Sequence, residues 1–159
     1  MTISGAARRL GYAAAVLAFG SAAVSLFWAL GGTLLLDTVG GAIEELARER
    51  PPEAIASAAA TALLKAGAGL LAIALVDGRD GPLTRRWLML TNAVASAVLV
   101  MWGGSNVLVG ALVLGEVITP SGAVDERSLR WHVFLWDLWF LVRGVLLALA
   151  VAGHRRRAR

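Results

Sequence analysis

The sequence predicts an all-α fold: a single domain, residues 1–159, that crosses a lipid bilayer four times as a helical bundle, with both termini cytoplasmic. Three observations predict it. Of the 159 residues, 58% are hydrophobic and only 16% charged, against roughly 25% charged in an average soluble domain; mean hydropathy is +0.71. The apolar residues fall in four runs, each longer than the ~20 residues that cross ~30 Å of hydrocarbon. Arginine is dense in alternate connections and diluted by glutamate in the others, which sets an orientation. Lipid offers the backbone no hydrogen-bond partner, so each run must be helical; strands would need alternation and barrel closure.

The first span runs from about Leu10 to Leu36. Arg8-Arg9 and Gly20-Ser21-Ala22 imitate the ends of a signal peptide, but apolar sequence continues far beyond its ~7–15-residue apolar region, so a retained helix is expected. An external loop, 37–53, follows. Within it Ile43 to Glu49 suits a short surface helix, and Pro51-Pro52-Glu53 suits a helix start. The second span covers about Ala54 to Val76, and the third about Trp87 to Ile118. The third exceeds what a bilayer needs and contains Gly103-Gly104; tilting, projection beyond the membrane and bending at that pair are all open. The fourth covers about Trp131 to Gly153, before a cytoplasmic tail, 154–159.

Arg8 and Arg9, then Arg79, Arg85 and Arg86, then Arg155, Arg156, Arg157 and Arg159 mark one side as cytoplasmic. On the other side Arg48 and Arg50 sit among Glu44, Glu45, Glu49 and Glu53, and Arg127 and Arg130 follow. This topology accounts for the net charge of +4. There is no basic face or aromatic RNA-binding motif, so no nucleic-acid partner is expected. Rich Ala, Arg, Gly and Val usage with Lys65 as the lone lysine is typical of a GC-rich bacterial genome, which places the chain in the cell membrane.

Small residues recur at helical spacing. Gly11, Ala14, Ala18, Ala22, Ser25, Ala29 and Gly32 share a face of the first span; Ala58, Thr61, Ala62, Lys65, Gly69 and Ala72 share one of the second; Asn92, Ser96, Gly103, Asn106 and Gly110 share one of the third. Such faces let helices approach closely, and these three are expected to meet. In the fourth span His132, Trp136, Trp139 and Arg143 recur on one face, with Asp137, Gly144 and Ala148 roughly 120° away. Trp87, Trp131 and Trp136 near span ends suit interfacial anchoring.

The intramembrane charges are the candidate functional residues. Each costs about 2.5–3.5 kcal/mol near the bilayer centre, which implies partners or a hydrated cavity. Lys65 should lean outward, toward Asp137, which lies roughly 7–8 Å nearer the outer end. An ion pair between them is expected, with Asn106 at similar depth completing a polar network. Arg143 has no evident partner and is expected to snorkel, or to meet a lipid headgroup or another subunit. Buried pairs also serve packing specificity alone, so a structural role competes with a binding one. A second cluster, Asp37, Glu116, His132 and Trp136, gathers toward the outer side. Asp37, Glu116 and Asp137 there offer a weak candidate cation site.

Much chemistry is excluded. Without cysteine there are no disulfides, thiol relays or Cys-ligated metals. His132 and His154 stand at opposite ends of one helix and cannot share a haem, and no cluster has metal-ligand spacing. No Walker loop, dinucleotide fingerprint, nucleophile elbow or zinc-protease motif occurs. Neither an enzyme nor a cofactor is expected. Gly31-Gly32 and Gly103-Gly104 are read as packing features. Trp28-x-x-Gly31-Gly32 and Trp102-Gly103-Gly104 form a faint internal echo, which chance in glycine-rich spans also produces.

Two stretches, Phe27-Trp28-Ala29-Leu30-Gly31-Gly32 and Trp131-His132-Val133-Phe134-Leu135-Trp136-Asp137-Leu138-Trp139-Phe140, resemble the bacterial membrane family labelled domain of unknown function 3995. The resemblance extends from about Gly11 to Gly153. It implies four spans and no assigned activity or residue roles. Arg143 departs from the family pattern, which has an aromatic there. The expected function is that of a binding, accessory or assembly component; the alternative is a small transporter or ion conductor using Lys65, Asp137 and Asn106. The expected partners are the lipid bilayer and a membrane protein, either a second copy or another chain.

Overall fold

The computed structural model describes residues 5–78, 82–120, 122 and 124–155. Among them there are four long apolar helices, α1 (Gly5–Ala29), α3 (Pro52–Asp77), α4 (Pro82–Leu114) and α6 (Asp137–Arg155), with shorter α2 (Gly41–Glu49) and α5 (Glu126–Trp131). All four are long and apolar enough to span a membrane, α6 counting together with the helical residues that lead into it from Glu126. The chain is a multi-pass, all-helical membrane protein. Arg79, Arg156, Arg157 and Arg159, used above to set the orientation, lie outside the described residues.

The first span stops at Ala29, short of Leu36. Gly31 adopts φ +101°, its N–H returning to Trp28 O at 3.0 Å while Gly32 N–H reaches Phe27 O at 2.9 Å. These are the two bonds of a Schellman stop, which needs a left-handed residue where Gly31 stands. The Gly31-Gly32 pair is thus a helix terminator as well as a packing feature, since a β-carbon on Gly32 would run into the Phe27 ring. A 3-10 turn, Leu36–Thr38, then folds back under the bundle end with Leu36 fully buried. α4 ends in the same way beyond Leu114, with Glu116 at φ +57° and Val117 N–H on Leu112 O at 2.9 Å.

Helix α4 runs unbroken through Gly103-Gly104, so no bend occurs there. At 33 residues it is about 50 Å long, more than the hydrocarbon requires. Gly103 lies against the backbone of α6: a β-carbon there would stand 2.6 Å from Leu141 N and 2.7 Å from Asp137 O. Gly144 answers from α6, where a β-carbon would stand 2.9 Å from Val100 N. These two glycines set the α4–α6 approach.

The helices pack antiparallel in the order α3, α1, α6, α4, with α3 and α4 meeting near the link between them. There Asn92 Nδ2 donates to Leu71 O at 3.2 Å, and Leu75, Leu88 and Val151 cluster. The small faces of the first three spans do not all converge as expected, because α6 stands between α1 and α4. Trp139 fixes it there, its ring against Gly20 and its Nε1 donating to Leu17 O at 2.9 Å. The core is chiefly alanine, with Ala14, Ala15, Ala72 and Leu147 at its centre. Bulky residues such as Leu63, Leu64, Val98, Met101 and Leu108 point outward, as suits a surface that faces lipid tails.

Between α5 and α6 the helix widens over His132–Trp136, where Asp137 N–H bonds His132 O, five residues back. Such single wide turns insert one residue into an α-helix and re-aim its side chains. This one falls on the Trp-His…Trp-Asp string.

Candidate functional site

The wide turn assembles the first group. In a regular α-helix residues five apart lie about 140° from each other. Widening brings His132 Nδ1 to 3.3 Å from Asp137 Oδ2. The other ring nitrogen, Nε2, lies 3.0 Å from Val39 O. A carbonyl only accepts, so Nε2 carries hydrogen; Nδ1 then meets the carboxylate in a hydrogen bond only when one further proton sits on the imidazole or the carboxyl. Asn106 Nδ2, from α4, donates to Asp137 Oδ1 at 3.3 Å. Asp137 is 7% exposed.

Tryptophans fasten this group to the 3-10 turn. Trp136 Nε1 donates to Thr38 Oγ1 at 3.1 Å, and Thr38 in turn bonds Leu35 O at 2.6 Å. Trp136 meets Trp28 edge-on, centroids 5.5 Å apart, and Trp28 Nε1 donates to Leu34 O at 2.9 Å. Asp37 pairs with Arg127 at 2.6 Å across the outside of the turn. Just before α5, the Ser128 hydroxyl bonds Asp125 Oδ2 at 2.5 Å and, as the largest influence, holds that carboxyl below its usual value; Arg127 N–H adds a bond at 3.1 Å. Asp125 thereby caps α5. A cavity of about 600 Å³ adjoins the group, reached by Asn106, His132, Trp136, Asp137 and Trp102.

Lys65 belongs to a second, separate group, so the expected Lys65–Asp137 ion pair is not formed. Lys65 Nζ donates to Ser25 Oγ of α1 at 2.8 Å and lies 5.6 Å from the centroid of the Phe140 ring. The α1–α3 contact offers Ser25 at that height and holds the amine on its own side of Phe140. A cavity of about 430 Å³ reaches this amine between α1, α3 and α2. Glu53, Ser57, Thr61 and Lys65, spaced four apart along α3, line one wall; Ile43, Leu46 and Ala47 of α2 line another. Arg50 closes the outer end, its guanidinium donating to Trp28 O and Ala29 O, both at 3.2 Å. A cation on the carbonyls of a helix end is doubly favoured there, by hydrogen bonding and by the helix dipole.

Arg143 does not snorkel outward. It is 4% exposed, turned into the bundle, and near enough for its charge to act on Lys65. Glu116 is set apart at the end of α4. Asp37, Glu116 and Asp137 therefore do not form the external cation site considered above, and among the described residues no three His, Asp or Glu gather to hold a metal.

Sequence reasoning missed Ser25, Phe140 and Arg50 as partners of these charges, along with the Val39 carbonyl. Ser25 was visible on the small-residue face of the first span. Nothing in the composition of Arg50's surroundings marked it as the cap of a helix more than twenty residues earlier.

No curated protein and no solved structure matches the chain. A family model does, over residues 18–147, which include the Trp28 motif, both cavities' inner walls and the whole wide turn. With that match over most of its length, the chain belongs to the family described as Protein of unknown function (DUF3995).

Proposed function

We propose that the protein is a non-catalytic binding component of a bacterial cell membrane, with both termini cytoplasmic, that takes a lipid-soluble ligand beneath α2. The observation that carries this reading is the cavity of about 430 Å³ ending at Lys65. Its size falls in the range of about 300–1,000 Å³ typical of small-molecule sites, and it combines mostly apolar walls with a few polar groups, as such sites do. The arginines at the α1 and α4 starts, Arg8, Arg9, Arg85 and Arg86, support the assigned orientation through the positive-inside rule.

Native mass spectrometry of the full chain, released from its own membranes in mild detergent, tests the reading. A bound small molecule is expected on the wild-type protein and is expected to be lost from Ala58→Trp, which fills the cavity. A wild-type protein that carries nothing, and takes up nothing when lipid extract is added, contradicts it. Tags on the two termini should both be accessible only from the cytoplasmic side.

A second reading, proton-linked transport, is favoured by the Asn106–Asp137–His132 contacts beside the 600 Å³ cavity. Buried acids next to hydrated space in membranes commonly serve ion pathways. Reconstitution into liposomes with pH and voltage dyes distinguishes it: flux abolished by Asp137→Asn supports transport, and silent vesicles support the binding role.

A further inference from the structure

Lys65 and Arg143 are two cations inside the spans without an anion. Among the described residues no carboxylate lies within ion-pair distance of either; Lys65 has a neutral hydroxyl and an aromatic face, and Arg143 has no hydrogen bond or ion pair at all. Arg143 is also more than nine-tenths buried. Its like charge leaves Lys65 uncompensated. Two like charges in a low-dielectric interior attract a counter-charge strongly, because little solvent screens them. Asp137, the one buried carboxylate among the described residues, is already held by His132 and Asn106.

The counter-charge has a route in. The cavity between α1, α2 and α3 reaches Lys65 and Ser25, and Ser57 and Thr61 supply hydroxyls along the way. Ile43, Leu46, Ala54 and Ile55 give it apolar wall, and Arg50 and Glu53, the latter on the first turn of α3, complete the lining at the end far from Lys65. A small inorganic anion would leave the apolar wall unsatisfied; a neutral lipid would leave Lys65 and Arg143 uncompensated. We propose that the cavity takes an anionic amphiphile, its carboxylate or phosphate head on Lys65 within the field of Arg143 and its hydrocarbon chain along the apolar wall. This rests on the binding reading above and names the ligand class.

Binding of spin-labelled palmitate to the full chain in detergent, compared with the spin-labelled alcohol of the same chain length, tests it. The acid is expected to bind about tenfold tighter or more, the weight of one charge-assisted hydrogen bond in a desolvated site. Lys65→Met should erase that preference, bringing the acid's affinity down to the alcohol's, and Arg143→Gln should reduce it. Ala58→Trp should remove both ligands. Equal binding of acid and alcohol to the wild type overturns the proposal but leaves the binding reading standing, and so does a preference that survives Lys65→Met. Failure of both probes to bind overturns both. Displacement of the acid by millimolar inorganic phosphate as readily as by unlabelled palmitate would show a free-anion site and also overturn it. If Lys65→Met does not fold, the acid-to-alcohol ratio on wild type, repeated with Lys65→Gln, decides.

Discussion

His132 and Asp137 meet, Nδ1 to Oδ2 at 3.3 Å, only because the fourth span widens between them. Deleting one residue of that turn should restore a regular α-helix and swing the two side chains apart. Phe134, 69% exposed, is the residue whose loss disturbs packing least. The deletion is expected to keep helix content by circular dichroism while the imidazole ¹⁵N shifts of His132 stop responding to Asp137→Asn. Unchanged sensitivity to Asp137 would contradict the role given to the turn.

The approach of α4 to α6 rests on two glycines, and their neighbour is a built-in control. Gly103→Ala and Gly144→Ala each place a methyl against backbone atoms. Overpacking of this kind costs typically about 1–3 kcal/mol. At Gly104 the nearest atom to a new β-carbon is Leu141 Cδ1 at 3.6 Å, an ordinary contact. Thermal unfolding in detergent should therefore show a clear loss for the first two variants and little for Gly104→Ala.

Hydropathy, arginine placement and helical spacing made the four spans and the surface helix α2 legible, because lipid leaves the backbone so few choices. The ends of the spans were less legible. Apolar sequence runs past Ala29 to Leu36 without a polar break, and the stop depends on the backbone conformation of Gly31. Neighbour order was hidden as well, since small residues mark a face that packs without saying against which helix. Lys65, Asp137 and Asn106 were visible as costly polar groups. Their partners were not, because a wide turn has no compositional signature and shifts every face before it. Ser25 could have been anticipated as a hydroxyl on a packing face; the Val39 carbonyl could not.

Arg50 ties the start of α3 to the end of α1. Its two bonds to Trp28 O and Ala29 O are partly exposed. Removing them in Arg50→Ala should lower stability by about 1 kcal/mol, the scale of a cation at a helix C-terminus. Arg50→Lys should recover only part, since an ammonium does not fork across two carbonyls. Full stability in Arg50→Ala would show that the α1 end is held by its Gly31 stop alone.

The cap of α5 should respond to acid. The Ser128 hydroxyl, first, and the Arg127 N–H favour the charged form of Asp125, so its carboxyl titrates lower in the folded chain than in the unfolded one. The unfolded state then binds more protons near the ordinary carboxylate value, and the cap's contribution is complete above about pH 4 and fades as pH falls through the lowered value. Asp125→Asn should abolish that dependence. Hydrogen exchange at Arg127 and Ser128 amides, compared at neutral pH and well below pH 4, reads it directly.

Separation of the buried Asp137 from the half-buried Lys65 is the feature on which both site assignments depend. Double-mutant cycles in reversible unfolding test it most directly. Asp137→Asn with His132→Ala should show a coupling of about 0.5–3 kcal/mol, as contacting pairs do, whereas Asp137→Asn with Lys65→Met should be additive within about 0.5 kcal/mol. A strong Lys65–Asp137 coupling together with an additive His132–Asp137 cycle would contradict the account.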